Sequence, residues 1–264
     1  MKAMAKLLGP GRSCAYSPDG RLVAVGLGSG GRAKGKASPH DGKWLVLDAE
    51  TLQQVATPPQ IRQQRISDIK FSPDGRLVAV ASADNFVDIY TANNHAFEKV
   101  YECKGHSSFI QKIDWSADSR YLQSCCGAYE LLYWRMYTDG EDGHPQRFRP
   151  GQERSSQKMK DVVWHTHSCL FGWPVRGIWP EESDGTDVNA CARSQSSQLL
   201  ATADDFGKVK LFLYPCIVPR AQPRPYTGHS SHVTNVAFTE QDRWLISTGG
   251  NDRAVFQWQV NGGR

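Results

Sequence analysis

A ten-residue string that occurs twice with one substitution constrains the fold of this chain more than any other feature. Tyr16–Val25 reads YSPDGRLVAV, and Phe71–Val80 reads FSPDGRLVAV. Looser copies start at Trp115, Ala192 and Phe238. The starts are therefore 55, 44, 77 and 46 residues apart, which indicates a period of about 45 with two insertions. A four-stranded propeller blade needs roughly 40 to 45 residues, so the spacing predicts blades.

Each copy also has the chemistry of a β-hairpin. An apolar strand ends in an aromatic residue, Ser-Pro-Asp-Gly supplies the turn, and an apolar run such as Leu77–Val80 returns beside the first strand. A third strand is marked by a turn aspartate, an apolar residue three positions on, and an aromatic residue or leucine three beyond. This spacing occurs at Asp41, Trp44 and Leu47, at Asp84, Val87 and Tyr90, and at Asp252, Val255 and Trp258. The sequence predicts an all-β, WD40-type β-propeller with about five four-stranded blades.

We expect residues 1–264 to form a single WD-repeat region. Its units are predicted near 12–60, 61–104, 105–186, 187–228 and 229–264, with an insertion at 137–160 in the third. Five units could close as a ring, with Met4–Leu8 as the outer strand of the last unit, or they could form an open arc. The sequence leaves both arrangements open.

Composition excludes several other classes of protein. Apolar runs are much shorter than the roughly twenty residues of a membrane-spanning helix, and the opening MKAMAKLLGPG is too short for a signal sequence. Seven cysteines without a Cys-x-x-Cys pair predict neither a disulfide framework nor a zinc finger, and they suit a reducing cytoplasm. The net charge of +4 is mild. We therefore expect no membrane and no nucleic acid among the partners.

Asp205-Phe206-Gly207 has the three letters that hold magnesium in a protein kinase. No glycine-rich loop and no His-Arg-Asp catalytic loop accompany it, and phosphoryl transfer needs all of these parts. Val209 and Phe212 instead place Asp205 in the turn position of the repeat, before a predicted strand Lys208–Leu213. We predict no catalytic residue, no cofactor, no small-molecule substrate and no enzymatic activity.

Gly-His dipeptides precede two of the units, at Gly105-His106 and Gly228-His229. A buried histidine in this position is typical of a structural hydrogen-bond network, which we favour over a catalytic His-Asp pair because a blade must satisfy its polar groups internally. The predicted network comprises His229, Thr248, Asp252 and Trp258. Ala128 replaces the turn aspartate of the third unit, so we expect a weaker network around His106.

Two segments interrupt the repeat. Gly28–Gly42 is basic and rich in glycine, which predicts a mobile loop between two strands. Tyr137–Lys160 has almost no apolar residues, which predicts a solvated, disordered excursion, a basic docking site for an acidic partner, or both. The candidate partner-binding residues are Arg147, Arg149, Arg154, Lys158 and Lys160.

His165, His167 and Cys169 are spaced so that they would share one face of a strand. Three ligands of this kind suit a metal ion, but a structural zinc site needs a fourth, and no further histidine or cysteine lies close in sequence. We therefore predict no metal site.

Several strings go beyond a general WD repeat. They are, in chain order, Gly105–Ile110, Glu130–Trp134, Gly177–Pro180, Asp184–Asn189, Ala203–Lys208, Tyr214–Cys216 and Gly228–Ala237. From about Arg12 to Val260 the chain resembles the C-terminal propeller region of the echinoderm microtubule-associated-protein-like (EML) family. The resemblance implies a non-enzymatic scaffold of the cytoplasm and cytoskeleton that binds tubulin or microtubules. A general WD40 interaction scaffold that is not specific for tubulin is the alternative.

Overall fold

A computed structural model of the chain describes residues 4–29, 38–93, 96–138, 147–181 and 183–261. Within them the chain forms antiparallel β-sheets joined by turns, with two short 3-10 helices. None of the helices in these ranges has the length and apolar character needed to cross a membrane. The all-β, propeller-type fold class predicted from the repeat is confirmed.

The chain divides into two compact units, Met1–His165 and Thr166–Arg264. Among its described residues, the first unit has three four-stranded sheets, in each of which the strands lie side by side in chain order. The first sheet is formed by β1 (Gly11–Tyr16), β2 (Leu22–Leu27), β3 (Trp44–Asp48) and β4 (Gln54–Ala56). The second is formed by β5 (Ile66–Phe71), β6 (Leu77–Ser82), β7 (Phe86–Thr91) and β8 (Lys99–Lys104). The third is formed by β9 (Ile110–Trp115), β10 (Tyr121–Cys126), β11 (Leu131–Thr138) and β12 (Arg147–Glu153), and the 3-10 helix Ser156–Met159 follows it.

The described residues of the second unit, 166–181 and 183–261, form one four-stranded and one three-stranded sheet. The fourth sheet follows the 3-10 helix Trp173–Ile178 and is formed by β13 (Val188–Arg193), β14 (Leu199–Asp204), β15 (Lys208–Leu213) and β16 (Arg224–Thr227). The fifth is formed by β17 (Val233–Phe238), β18 (Trp244–Gly249) and β19 (Val255–Gln259).

The repeated Ser-Pro-Asp-Gly string forms the tight turn that its residues predict. The backbone N–H of Gly20 donates to the carbonyl oxygen of Ser17 at 2.9 Å, and Gly75 donates to Ser72 over the same distance. Both glycines have φ of 72°, a left-handed conformation that residues with a Cβ rarely adopt. The serine hydroxyls close the turns further, because each accepts from the backbone N–H that opens the next strand, at Leu22 and Leu77.

The apolar repeat strand β6 is buried along its whole length. Its side chains alternate between two cores: Val78 and Val80 pack toward the first sheet, while Leu77, Ala79 and Ala81 pack toward the third. In the second unit, Ala201 and Ala203 of β14 pack against Val236 and Leu245 of the fifth sheet. These small side chains allow neighbouring sheets to approach closely.

The N-terminal segment does not form the outer strand that the closed-ring alternative would need. Met4–Leu8 forms no strand. Ala5 and Leu7 instead pack against Val23, Val25 and neighbouring apolar residues on one face of the first sheet. The segment therefore covers an apolar sheet face within its own compact unit.

The predicted excursion at 137–160 contains a strand. Arg147–Glu153 is not disordered, because it forms β12 and pairs with β11 from Tyr133 to Thr138. Phe148 anchors this strand through an edge-on contact with Tyr137, with ring centroids 5.6 Å apart. Residues 139–146 lie outside the described part of the chain. The same is true of residues 30–37, although the loop that contains them does connect β2 with β3, as predicted.

Candidate functional site

Three of the four residues predicted for the histidine network lie together in the fifth sheet, and a different hydroxyl residue completes it. Nδ1 of His229 lies 2.9 Å from Oδ2 of Asp252, and Nε2 lies 2.8 Å from Oγ of Ser247. The indole N–H of Trp258 donates to the same Ser247 oxygen at 2.8 Å. The hydroxyl is therefore that of Ser247 and not that of Thr248, which we correct here.

Thr248 is excluded from this network by strand geometry. Successive side chains of β18 point to opposite faces, so Ser247 and Thr248 cannot share one. The Thr248 hydroxyl lies 2.9 Å from that of Thr234, on the opposite face. The spacing of the repeat could not tell which of the adjacent residues Ser247 and Thr248 faces His229. The pairing of β18 with β19 fixes this choice.

The His229–Asp252 pair is hydrogen-bonded to neighbouring groups of the fifth sheet. Both imidazole nitrogens are engaged, and the side chain is fully buried. Burial opposes the charge of Asp252, but hydrogen bonds from the backbone N–H of Ala254 and from His229 outweigh it and lower the pKa of the carboxyl. A carboxylate held ionised in this way is a poor proton acceptor near neutral pH.

The third sheet contains a variant of the same network. Nε2 of His106 lies 2.7 Å from Oγ of Ser124, which also accepts from the indole N–H of Trp134 at 2.8 Å. Ala128 replaces the turn aspartate, so His106 lacks the partner that Asp252 provides for His229. A glutamate lies near it instead, because Oε2 of Glu130 is 3.4 Å from Nδ1 of His106. That contact is longer than its counterpart at His229, so we still expect His229→Ala to destabilise more than His106→Ala.

Glu130 is held firmly at the edge of this network. Its carboxylate accepts from the backbone N–H of Ser107 at 2.9 Å and from the Ser107 hydroxyl at 2.7 Å. The thiol of Cys126 donates to it at 3.1 Å. The Ser107 backbone hydrogen bond is the largest cause that lowers the pKa of Glu130 to about 2. Burial lowers the pKa of His106 and raises the pKa of the Cys126 thiol.

Asp205 occupies the turn position that the repeat predicts. β14 ends at Asp204 and β15 begins at Lys208, with Gly207 in a left-handed conformation at φ of 75°. Oδ1 of Asp205 accepts from the side-chain amide of Asn189 at 2.7 Å. Asp204 accepts from the backbone N–H of Lys208 at 2.8 Å. The Asp-Phe-Gly letters therefore form a β-hairpin turn.

The five candidate partner-binding residues are exposed in the third sheet and the segment that follows it. Arg147 and Arg149 alternate with the half-buried Phe148 on β12, so both side chains lie on one face of an outermost strand. Arg154, Lys158 and Lys160 follow within one short stretch, and Lys158 pairs with Glu153 at 3.4 Å. The structure therefore places these basic groups along one sheet edge and its continuation.

His165, His167 and Cys169 do not share one face of a strand, which a metal site at these residues would have required. Residues 165–169 form no strand, so the shared-face argument does not apply. His165 is exposed, whereas His167 and Cys169 are buried. A different set, His106, Cys126 and Glu130, brings three possible ligand atoms within 4.8 Å of one another. Cys126 and Glu130 meet within one turn, whereas His106 lies about twenty residues earlier, so no short motif in the sequence marks the whole set.

Comparison with known proteins matches this architecture to one family. Residues 1–260 match the family described as "Echinoderm microtubule-associated protein second beta-propeller". Echinoderm microtubule-associated protein-like 4 of Xenopus tropicalis is 42% identical over 253 residues, 95% of this chain and 25% of that protein. Echinoderm microtubule-associated protein-like 2 of Mus musculus is 44% identical over 253 residues, 95% of this chain and 35% of that protein.

A sea-urchin relative extends the match beyond vertebrates. The 77 kDa echinoderm microtubule-associated protein of Strongylocentrotus purpuratus is 44% identical over 251 residues, which cover 94% of this chain and 33% of that protein. The chain thus spans between a quarter and about a third of the length of these three relatives. It belongs to the echinoderm microtubule-associated protein family, within the part that forms the second β-propeller.

Proposed function

We propose that this chain is a non-enzymatic WD-repeat segment that binds tubulin or microtubules through exposed loops and strand edges. The observation that carries the proposal is the family match over residues 1–260, because the relatives are named as microtubule-associated proteins. The proposed location is accordingly the cytoplasmic microtubule cytoskeleton. We also propose that residues 1–264 act as one WD-repeat region.

The proposed absence of enzymatic activity is supported by what the polar groups of the repeats contact. Asp252 and Asp205, the acidic residues closest to known catalytic patterns, accept hydrogen bonds from neighbouring side chains. His229 has both ring nitrogens engaged. A general base must reach a substrate proton, and these groups are committed to turns and strands.

The basic edge of the third sheet is the surface that we propose for contact with an acidic partner such as tubulin. Arg147 and Arg149 are fixed on β12 by strand pairing, so their charges are presented in a defined arrangement. Clustered positive charge accelerates the encounter with a negative surface, and salt screens the attraction. Binding through this edge should therefore weaken as ionic strength rises.

Affinity capture from cell extract separates the two candidate functions. The whole chain, immobilised through a terminal tag, is incubated with extract at physiological salt, and the retained proteins are quantified by mass spectrometry. We expect enrichment of α- and β-tubulin over a bead control and over an unrelated WD-repeat protein. A reproducible set of retained proteins with tubulin at background would instead support the general interaction scaffold.

A further inference from the structure

Three side chains with different metal-binding atoms converge at one end of the third sheet. The ligand atoms of His106, Cys126 and Glu130 all lie within 4.8 Å of one another. Oε2 of Glu130 is 3.1 Å from Sγ of Cys126 and 3.4 Å from Nδ1 of His106. One imidazole, one thiol and one carboxylate therefore point at a common volume.

The burial and hydrogen bonding of His106 indicate that this volume can accept a ligand. The His106 side chain is fully buried, and Nε2 is occupied by Ser124. Nδ1 faces the cluster and makes no well-formed hydrogen bond, which is costly for a buried ring nitrogen. Cys126 is also buried, whereas the Glu130 side chain is about one-third exposed. The cluster thus has a buried floor and an opening to solvent beside Glu130.

We propose that Nδ1 of His106, Sγ of Cys126 and Oε2 of Glu130 bind a Zn²⁺ ion, with water in a fourth position. Zinc accepts imidazole, thiolate and carboxylate ligands together. Softer ions favour sulfur ligands, and harder ions favour oxygen ligands. The bond lengths of zinc to these atoms place donors of a tetrahedral site about 3.4 to 3.6 Å apart. The two measured separations differ from these values by less than about 0.5 Å. Binding replaces the thiol proton of Cys126, which is released to solvent.

The groups around the cluster would hold these ligands in place. Ser124, itself fixed by the indole of Trp134, orients the His106 ring through Nε2, which would carry the proton in the metal-bound form. Ser107 holds the carboxylate of Glu130 through its backbone and its hydroxyl. Such outer contacts fix a ligand before the metal arrives.

The fifth sheet provides an internal comparison. His229 and Ser247 are separated by the same number of residues as His106 and Ser124. At the position equivalent to Cys126, however, the fifth sheet has Gly249, so this network lacks a thiol. His229 there makes a hydrogen bond to Asp252 through the ring nitrogen that remains unsatisfied in His106. A zinc site is therefore expected in the third sheet and not at His229.

The test is zinc binding by the whole chain after treatment with a chelator. The protein is dialysed against buffered Zn²⁺, and bound zinc is measured by plasma mass spectrometry. We expect one zinc per chain. Cys126→Ser and His106→Gln should weaken binding by at least about 100-fold, since even loss of an outer contact costs roughly 10- to 100-fold. Cobalt(II) in place of zinc should give a thiolate charge-transfer band that Cys126→Ser abolishes.

Cys125→Ser is the matched control, because Cys125 is an adjacent, equally buried thiol on the opposite face of β10. It should retain one zinc per chain. Glu130→Gln changes a partly exposed residue and serves if the buried variants fail to fold, as judged by circular dichroism without metal. No stoichiometric zinc in the wild-type chain, or equal binding by wild type and folded Cys126→Ser or Glu130→Gln, would overturn the proposal.

Discussion

Single hydroxyl groups decide how the histidine networks are built. Ser247 accepts from the half-buried Trp258 and contacts the buried His229, so one oxygen serves two polar groups. Thr248, the next residue, contacts Thr234 on the opposite and more exposed face. The two residues therefore offer a direct comparison of a buried and a peripheral hydroxyl on the same strand.

We predict that Ser247→Ala lowers the free energy of unfolding by about 1 to 3 kcal/mol, because it leaves the buried imidazole of His229 and the half-buried indole of Trp258 without this partner. Thr248→Val should cost less than about 1 kcal/mol, since its hydrogen bond is near solvent. Urea unfolding monitored by tryptophan fluorescence measures both changes. Equal losses in the two variants would contradict the assignment of Ser247 to the network.

The acidity of Glu130 gives a second prediction at the residue scale. Its pKa is about 2 in the folded protein, against 4.5 for an ordinary glutamate, chiefly because the Ser107 backbone donates to it. A lowered folded-state pKa contributes stability above about pH 4.5, and this contribution is lost as the pH falls toward 2. Glu130→Gln should therefore flatten the loss of stability over this interval.

Urea unfolding of wild type and Glu130→Gln at several pH values between about 2 and 5 tests this linkage, with EDTA present so that metal does not contribute. Wild type should lose more stability than the variant as the pH falls. Parallel pH profiles for the two proteins would show that the Ser107–Glu130 contact does not form.

At the scale of strands, turn residues and apolar runs that recur in the sequence predict strands well. Strands held by a single side-chain contact are difficult to predict. The turn chemistry of Ser17 to Gly20 and the apolar run of β6 are local, so the hairpins could be predicted from spacing alone. The strand β12 could not be predicted in this way. It is held by backbone hydrogen bonds to β11, and its main apolar side chain is Phe148, so the segment lacks the apolar pattern that marks the other strands. A charged strand at a sheet edge has the composition of a loop, although its hydrogen bonds are those of a strand.

The candidate site illustrates the same limit. His229, Asp252 and Trp258 follow the spacing of the repeat and could be predicted. Glu130 replaces the expected turn aspartate from a position two residues beyond Ala128, which the repeat pattern does not cover. Cys126 joins it only because β10 and the turn after it bring thiol and carboxylate together.

Arg147 and Arg149 of the basic edge lie on β12, so a test of this surface should keep the strand intact. Deleting Gln146–Lys158 would remove a strand, so charge reversal is the sharper experiment. We predict that Arg147→Glu with Arg149→Glu weakens tubulin binding at least about tenfold at low salt and reduces its salt dependence. Binding is measured by fluorescence anisotropy with labelled tubulin.

Lys208→Glu with Arg224→Glu is the matched control for the charge change. Both residues are exposed in the fourth sheet, on β15 and β16. This pair imposes the same change in net charge and should leave most of the affinity intact. If both double variants lose affinity equally, net charge alone controls binding and the β12 edge is not the contact surface.

For the molecule as a whole, repetition and family identity agree. In the described part of the chain, five antiparallel sheets follow the five copies of the hairpin, and residues 1–260 match the second propeller of one family. The chain spans 25% to 35% of the relatives compared above, so partner binding by this segment is a property to be measured.

Sedimentation velocity of the purified chain with unpolymerised tubulin tests the proposed function most directly. The account predicts a faster-sedimenting complex at physiological salt whose population falls as salt is added. A folded chain that sediments independently of tubulin would contradict it, if this holds at every tubulin concentration up to about 100 times a micromolar Kd.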